Sequence, residues 1–330
     1  MFSKFIKHLR QFDSISRRRL HSSLLDIAPE IQYAFHKKLP VLSLESTILT
    51  HGMPYPENIT TAMEVQHIAR NQGVVPATVG IIDGRIKVGL SDNQIEELGH
   101  PNNKHKTVKT SRRDLPYVLS QKLSGGTTVS GTLVISSLVG IRLFVTGGIG
   151  GVHYDGENTM DVSSDLVELG RHGITVVSAG VKSILDIGRT LEYLETQGVC
   201  VVTFGPSRIF PSFYTRQSAY EAPYNVDNVE DAARLVKSLQ DLNVQSGILL
   251  GVPIPEACEV INAHDMDQII QTCLAKCKKE NIRGKQITPY LLDQVAKLSG
   301  GKSLQANIGL IKNNVYVGSR ILAQWNLMNQ

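Results

Sequence analysis

A chain of 330 residues with 42% hydrophobic and 19% charged side chains has enough apolar mass to pack the core of one large α/β domain or two small ones. No run approaches the roughly 18 unbroken apolar residues of a membrane-spanning helix, which excludes a membrane protein of that kind. The net charge of +4 is misleading, because Lys4, Lys7, Arg10, Arg17, Arg18 and Arg19 face a single acid, Asp13, in residues 1–22; the rest is close to neutral and offers no basic field for nucleic acid.

Residues 1–23 read as a basic leader. Arginine and serine are plentiful there, and Phe2, Phe5, Ile6 and Leu9 recur at helical spacing, which is the composition of a mitochondrial transit peptide. The other reading is a basic tail on a cytoplasmic protein. Residues 24–330 carry no repeat, heptad array or Pro/Gly/Ser-rich linker and are expected to form one domain.

Within that domain short β-branched runs alternate with longer amphipathic stretches, the pattern of a layered α/β protein. Strands are predicted at Val41–Leu44, Ala77–Ile82, Thr127–Thr132, Leu143–Thr146, Thr175–Ala179, Val199–Thr203 and Gly247–Val252. Helices are predicted at Thr60–Asn71, Asp92–Leu98, Leu133–Val139, Ser163–Arg171, Ser183–Gln197, Val229–Asn243, Asp265–Glu280, Thr288–Ser299 and Leu304–Gln324. Asp83-Gly84 lies between two apolar runs and supplies the positive φ angles of a tight hairpin, so the sheet should be mixed. Cys200, Cys258, Cys273 and Cys277 form no metal-ligand pattern and read as reduced thiols.

Lys182 is the most informative position. It follows the apolar run 174–181 and precedes a predicted helix at Ser183, and burial together with a positive helix end disfavours the ammonium form and frees an amine for attack on a carbonyl. A surface lysine opening a helix is the alternative. Glu45 comes directly after the first strand, where α/β sheets form ligand crevices, and reads either as a proton donor or as a turn cap. Residues 109–116, Lys-Thr-Ser-Arg-Arg-Asp-Leu-Pro, suit a phosphate monoester or a solvated helix start with Arg112 or Arg113 paired to Asp114.

The glycine-rich stretches 125–131 and 147–151 could bring backbone N–H groups to an anion, although neither matches a nucleotide fingerprint. Asp161 and Asp165 suit a hard cation such as Mg²⁺ or Mn²⁺; alternatively Asp161 caps a helix and Asp165 complements its dipole. The ten histidines make no H-E-x-x-H motif and no G-x-S-x-G elbow occurs, which argues against a zinc or serine hydrolase.

Taken in order, LESTILTHGMPYPEN (44–58), IIDGRIKVGL (81–90), KTSRRDLP (109–116), GGTTVSGT (125–132), FVTGGIGGVH (144–153), MDVSSDLVELGR (160–171), AGVKSILDIGRTLEYLETQGV (179–199) and GGKSLQANIGLIKNN (300–314) resemble the pseudouridine-5′-phosphate glycosidase family, which includes indigoidine synthase A. The resemblance runs from about residue 25 to 325. It implies a three-layer α/β/α fold with a central mixed sheet, assembled as a homotrimer. The implied reaction is reversible cleavage of the C–C glycosidic bond of pseudouridine 5′-phosphate to uracil and ribose 5-phosphate.

Residue by residue, the resemblance makes Lys182 the lysine that forms an imine with ring-opened ribose and Glu45 the proton donor. It makes Asp161 the ligand of a divalent cation, Mn²⁺ or another such as Mg²⁺. Lys109, Val129, Ser163, Ser164 and Asp165 become substrate-binding positions, and Asn307 is similar to an asparagine near the ribose. Tyr154 and Asn158 depart from the family's usual residues. A separate pseudouridine kinase would supply the phosphorylated substrate. The alternative is another Schiff-base lyase or aldolase acting on a sugar phosphate.

Overall fold

The computed structural model describes residues 24–103 and 106–329; the leader expected over residues 1–23 lies outside the described residues. It is a mixed α/β fold built on a sheet of eleven strands: β1 (Leu25–Ile27), β2 (Val41–Leu44), β3 (Val75–Ile82), β4 (Arg85–Val88), β5 (Thr107–Thr110), β6 (Ser124–Thr127), β7 (Leu143–Val145), β8 (Thr175–Ser178), β9 (Cys200–Phe204), β10 (Tyr224–Val226) and β11 (Ile248–Gly251). The order is β1-β4-β3-β2-β7-β8-β11-β9-β10, with β6 joining β3 and β5 joining β6. Only β3–β4 and β3–β6 are antiparallel. The hairpin expected at Asp83-Gly84 joins β3 to β4, with φ of 48° and 72° at the two turn residues and Ile82 opposite Arg85.

Strand periodicity assigns the layers. Leu143 and Val145 approach Gly318 on the long helix Lys302–Leu327, which packs beside the helices Glu57–Asn71 and Val229–Leu242. Phe144 points the other way, together with its register partner Ser43, whose hydroxyl meets that of Ser136 at 2.6 Å on the helix Val129–Val139. One face therefore carries three long helices and the other the helix 129–139 with Ser164–Leu169 and Ile187–Thr196. This is the expected three-layer order. Among the described residues no helix is long and apolar enough to cross a membrane.

Two predicted elements change. The run Thr127–Thr132 is not one strand: β6 ends at Thr127 and a helix starts at Val129, because the Thr128 hydroxyl accepts the Gly131 N–H as an N-cap and overrides β-branched propensity. The helix predicted from Ser183 begins at Ile187 instead, capped by Asp186, whose carboxylate accepts the Arg189 N–H at 3.0 Å. Strands β1, β5 and β10 and the helix Pro29–His36 are additions that the runs of three to eight residues were too short to signal. Cys200, Cys258, Cys273 and Cys277 are free thiols, as expected.

The long strand β3 opens the crevice. Its first half, Val75–Thr78, pairs in parallel with β2, whereas Gly80 and Ile81 pair with Gly126 and Gly125 of β6. At the end of β2 the neighbouring strand thus diverges, and Glu45, the next residue, emerges into the fork between two branches of sheet.

Gly318 is where the longest helix lies on the sheet: a Cβ there would sit 2.6 Å from a methyl of Val145. Gly318→Val is expected to destabilise the protein by about 1–3 kcal/mol through overpacking, seen as a lower urea midpoint at unchanged m-value.

Candidate active site

The carboxyl ends of β2, β5, β6, β7 and β8 converge on one cleft. All nine side chains or positions singled out from the sequence line it: Glu45, Lys109, Val129, Asp161, Ser163, Ser164, Asp165, Lys182 and Asn307. Thr47, His51, Ser111, Arg113, His153 and Phe213 line it as well. Tyr154 and Asn158 are not among its lining residues.

Glu45 is anchored from β7. The Thr146 hydroxyl donates to one Glu45 carboxylate oxygen in a very short hydrogen bond, and the Thr146 and Gly147 carbonyls accept from Asn314 Nδ2 at 2.9 and 3.2 Å. Burial raises the carboxyl's pKa, with the Lys182 ammonium and the Thr146 hydroxyl pulling the other way. The turn-cap reading of Glu45 gives way to a carboxyl held in the cleft.

Lys182 sits in a turn. Val181 bridges to Ile149, the Lys182 N–H donates to the Ile149 carbonyl at 3.1 Å, and its own carbonyl accepts from Leu185. The next helix in the chain opens only at Ile187, so Lys182 does not sit at its positive end as the sequence suggests. What places the side chain is the parallel run of β8 beside β7.

Asp165 is buried and fully engaged. One oxygen accepts the Ser130 N–H at 2.9 Å and the other the Gly150 N–H at 2.8 Å. A Cβ at residue 150 would lie 2.3 Å from Ser163 Oγ and 2.8 Å from Asp165 Oδ2, so the position requires glycine. The glycine turn 147–151 does present an N–H to an anion, as its composition suggests, but that anion is the protein's own carboxylate. Gly125 and Gly126 serve otherwise: they lie in β6 against Thr110 and Thr50, where a side chain would collide. The expected helix cap at Asp161 is also replaced, since Ser163 Oγ accepts the Asp165 N–H.

One wall is cationic and hydroxylic. Lys109 leaves β5 beside Ser111, Arg113, Ser163 and Ser164. Burial lowers the Lys109 pKa to about 8, with the positive charge of Lys182 adding to the effect and Asp165 and Glu45 opposing it. Of the two arginines expected to pair with Asp114, Arg113 does so loosely at 3.9 Å, while Arg112 reaches across to the buried Glu168 at 2.7 Å. Glu168 also meets Arg171 and His172, which fastens the segment after β5 to the helix Ser164–Leu169.

Asp161 lies on a narrow hairpin in which Val152 bridges to Val162 and the His153 N–H donates to the Asp161 carbonyl at 3.0 Å. Burial lowers the His153 pKa, opposed by Asp161. Among the described residues no three His, Cys, Asp or Glu side chains gather as a metal cage. Asp161 in the cleft lining suits a hard cation that would otherwise be held by water and ligand oxygens.

Sequence reasoning missed Thr146, His153 and Phe213. The first two flank the glycine turn and could have been noticed there. Phe213 comes from the irregular segment between β9 and β10 and carries no periodic signal.

Against known proteins, the indigoidine synthase A-like family model matches residues 30–324. The chain belongs to that family. It is 46% identical over 309 residues to the pseudouridine-5′-phosphate glycosidase of Clostridium botulinum, covering 93% of this chain and 98% of that one. It is 45% identical over 309 residues to the pseudouridine-metabolizing bifunctional protein of Schizosaccharomyces pombe, covering 93% of this chain but 41% of that longer one. Among solved structures, the prealnumycin C-glycosynthase AlnA in complex with ribulose 5-phosphate superposes with a TM-score of 0.84 at 35% identity, covering 94% and 99% of the two chains. An indigoidine synthase A-like protein of Thermotoga maritima gives 0.83 at 30% identity, with the same coverage.

Two outcomes follow from this geometry. Asp165→Asn sets an amide where two N–H groups need an acceptor, and is expected to cost about 1–3 kcal/mol in chemical denaturation. Because Lys109 loses its charge above a pKa of about 8, the affinity for inorganic phosphate or ribose 5-phosphate is expected to fall as pH rises through that value. Calorimetric titrations between pH 7 and 9 check this, and Lys109→Met should abolish the dependence.

Proposed function

We propose that the cleft performs reversible cleavage of the C–C glycosidic bond of pseudouridine 5′-phosphate, giving uracil and ribose 5-phosphate. The observation that carries the reading is the meeting of Lys182 and Glu45 in one cleft that Lys109, Arg113 and two serines also line. Relatives that bear this activity's name at 46% identity over nearly the whole chain support it.

A C–C glycosidic bond has no leaving oxygen to protonate, so acid alone is a poor catalyst. The Lys182 amine instead bonds to C1′ as the C1′–O4′ bond breaks, and the released O4′ takes up a proton. The Glu45 carboxyl then delivers its proton to C5 of uracil, the C1′–C5 pair stays with the base, and the lysine nitrogen lone pair closes a C=N bond to C1′. Water hydrolyses this imine to ribose 5-phosphate and the free lysine. Burial of Glu45 serves the step, because a raised pKa lets the carboxyl hold its proton more readily than an exposed carboxylate would. Thr146 holds one carboxylate oxygen as an acceptor and leaves the proton on the other.

Lys109 and the serines convert phosphate affinity into orientation at C1′. We assign Asp161 as the ligand of a divalent cation, Mn²⁺ or Mg²⁺, which when bound would neutralise phosphate charge. Homotrimeric assembly and supply of substrate by a separate kinase belong to the same proposal.

Two variants and a trapping experiment test it. Lys182→Ala is expected to lose turnover by at least about 10³-fold with the circular dichroism spectrum unchanged; retained turnover would refute the assignment. Borohydride with ribose 5-phosphate should add a pentose phosphate to Lys182, detected by mass spectrometry. Glu45→Gln should abolish turnover yet still trap the adduct, because the amide cannot protonate C5 while the lysine chemistry with ribose 5-phosphate remains. In the wild type, kcat/KM should fall on the alkaline side as Glu45 loses its proton and Lys109 its charge.

A further inference from the structure

The phosphate end and the reacting centre of the cleft are accounted for above, but the base end is not. We propose that Phe213 is the specificity-determining residue for the departing pyrimidine, its ring forming the wall on which the flat heterocycle seats next to Asn307. The inference rests on the function proposed above.

Phe213 is only 2% exposed, yet it lines the cleft together with Lys182 and Asn307. The remainder of its ring is fixed from two sides. It meets Tyr214 edge to face at 4.7 Å between centroids, and it lies over Gly148, where a Cβ would come within 2.5 Å of two ring carbons. Its backbone φ is +58°, a left-handed conformation that is uncommon for a bulky aromatic and persists only where the surroundings impose it. Here they do: the Phe213 N–H donates to the Ala179 carbonyl at 3.0 Å, and the Ser183 hydroxyl donates to the Ser212 carbonyl at 2.6 Å. The backbone that carries the ring is therefore stapled to the two ends of the segment that carries Lys182.

Asn307 supplies the second observation. It is 7% exposed, and its amide oxygen is buried without a hydrogen-bond partner. The point where a Cβ on Gly147 would lie is 3.5 Å from that oxygen and 3.8 Å from a Phe213 ring carbon, so an apolar ring and an orphan acceptor converge on one place. A buried acceptor left unpaired is costly, and a ligand N–H relieves it. Uracil is flat, offers a π-face for stacking, and carries N–H donors on its edge. A sugar hydroxyl can meet the acceptor, but a sugar phosphate alone has no flat face to lay on the ring.

The test is steady-state kinetics in the direction of synthesis, with uracil and ribose 5-phosphate varied separately. Phe213→Leu is expected to raise KM for uracil about tenfold, the equivalent of one lost base–aromatic stack, while KM for ribose 5-phosphate stays within about twofold. Phe213→Tyr keeps the ring and is expected to leave both KM values near wild type. Gly148→Ala, which pushes the ring off its seat, should raise KM for uracil selectively, and it serves as the test should Phe213→Leu fail to fold. An unchanged KM for uracil, or equal rises for both substrates in a folded variant, overturns the inference. Failure of the wild type to make pseudouridine 5′-phosphate would instead overturn the underlying assignment of function.

Discussion

The site depends on one buried carboxylate that touches no proposed reacting atom. Asp165 receives an N–H from Ser130, in the first turn of the helix after β6, and another from Gly150, in the glycine turn after β7. Its own helix begins at Ser164. The helix after β6 and two stretches of the connection between β7 and β8 are thereby tied at one point, with Asp161 and Ser163 brought along on that connection. Removing the carboxylate from this knot would strand two backbone donors away from water, a penalty that neutral substitutes cannot offset.

Around that point the cleft is electrostatically uneven. Glu45 is lifted toward neutrality by burial, Lys109 is pushed toward the neutral amine, and Asp165 and Lys182 act on both. Two titratable groups displaced toward the same pH range is an arrangement found where proton transfer and anion binding must share a small space. The forked sheet makes this possible, since β3 hands its pairing from β2 to β6 where Glu45 emerges.

Much of this was legible in the chain itself. Val41–Leu44 matched its strand end to end, and the Asp83-Gly84 turn fixed the antiparallel part of the sheet, because those signals are local. The residues that line the cleft were also readable, as they cluster next to strand ends. What the sequence hid was non-local. Thr128 as a cap turned a β-branched run into a helix, and Asp186 rather than Ser183 opened the helix after Lys182. Asp165 read as a cation or substrate ligand because nothing in its neighbourhood along the chain announces Ser130, 35 positions away. Phe213 was invisible for the same reason, being defined by contacts with Gly148 and Ala179.

Asn314 carries one more implication. It lies in the last helix, yet its amide grips the carbonyl of the very threonine that holds Glu45. During synthesis the acid from the first strands has no finished seat until the closing helix has left the ribosome and docked.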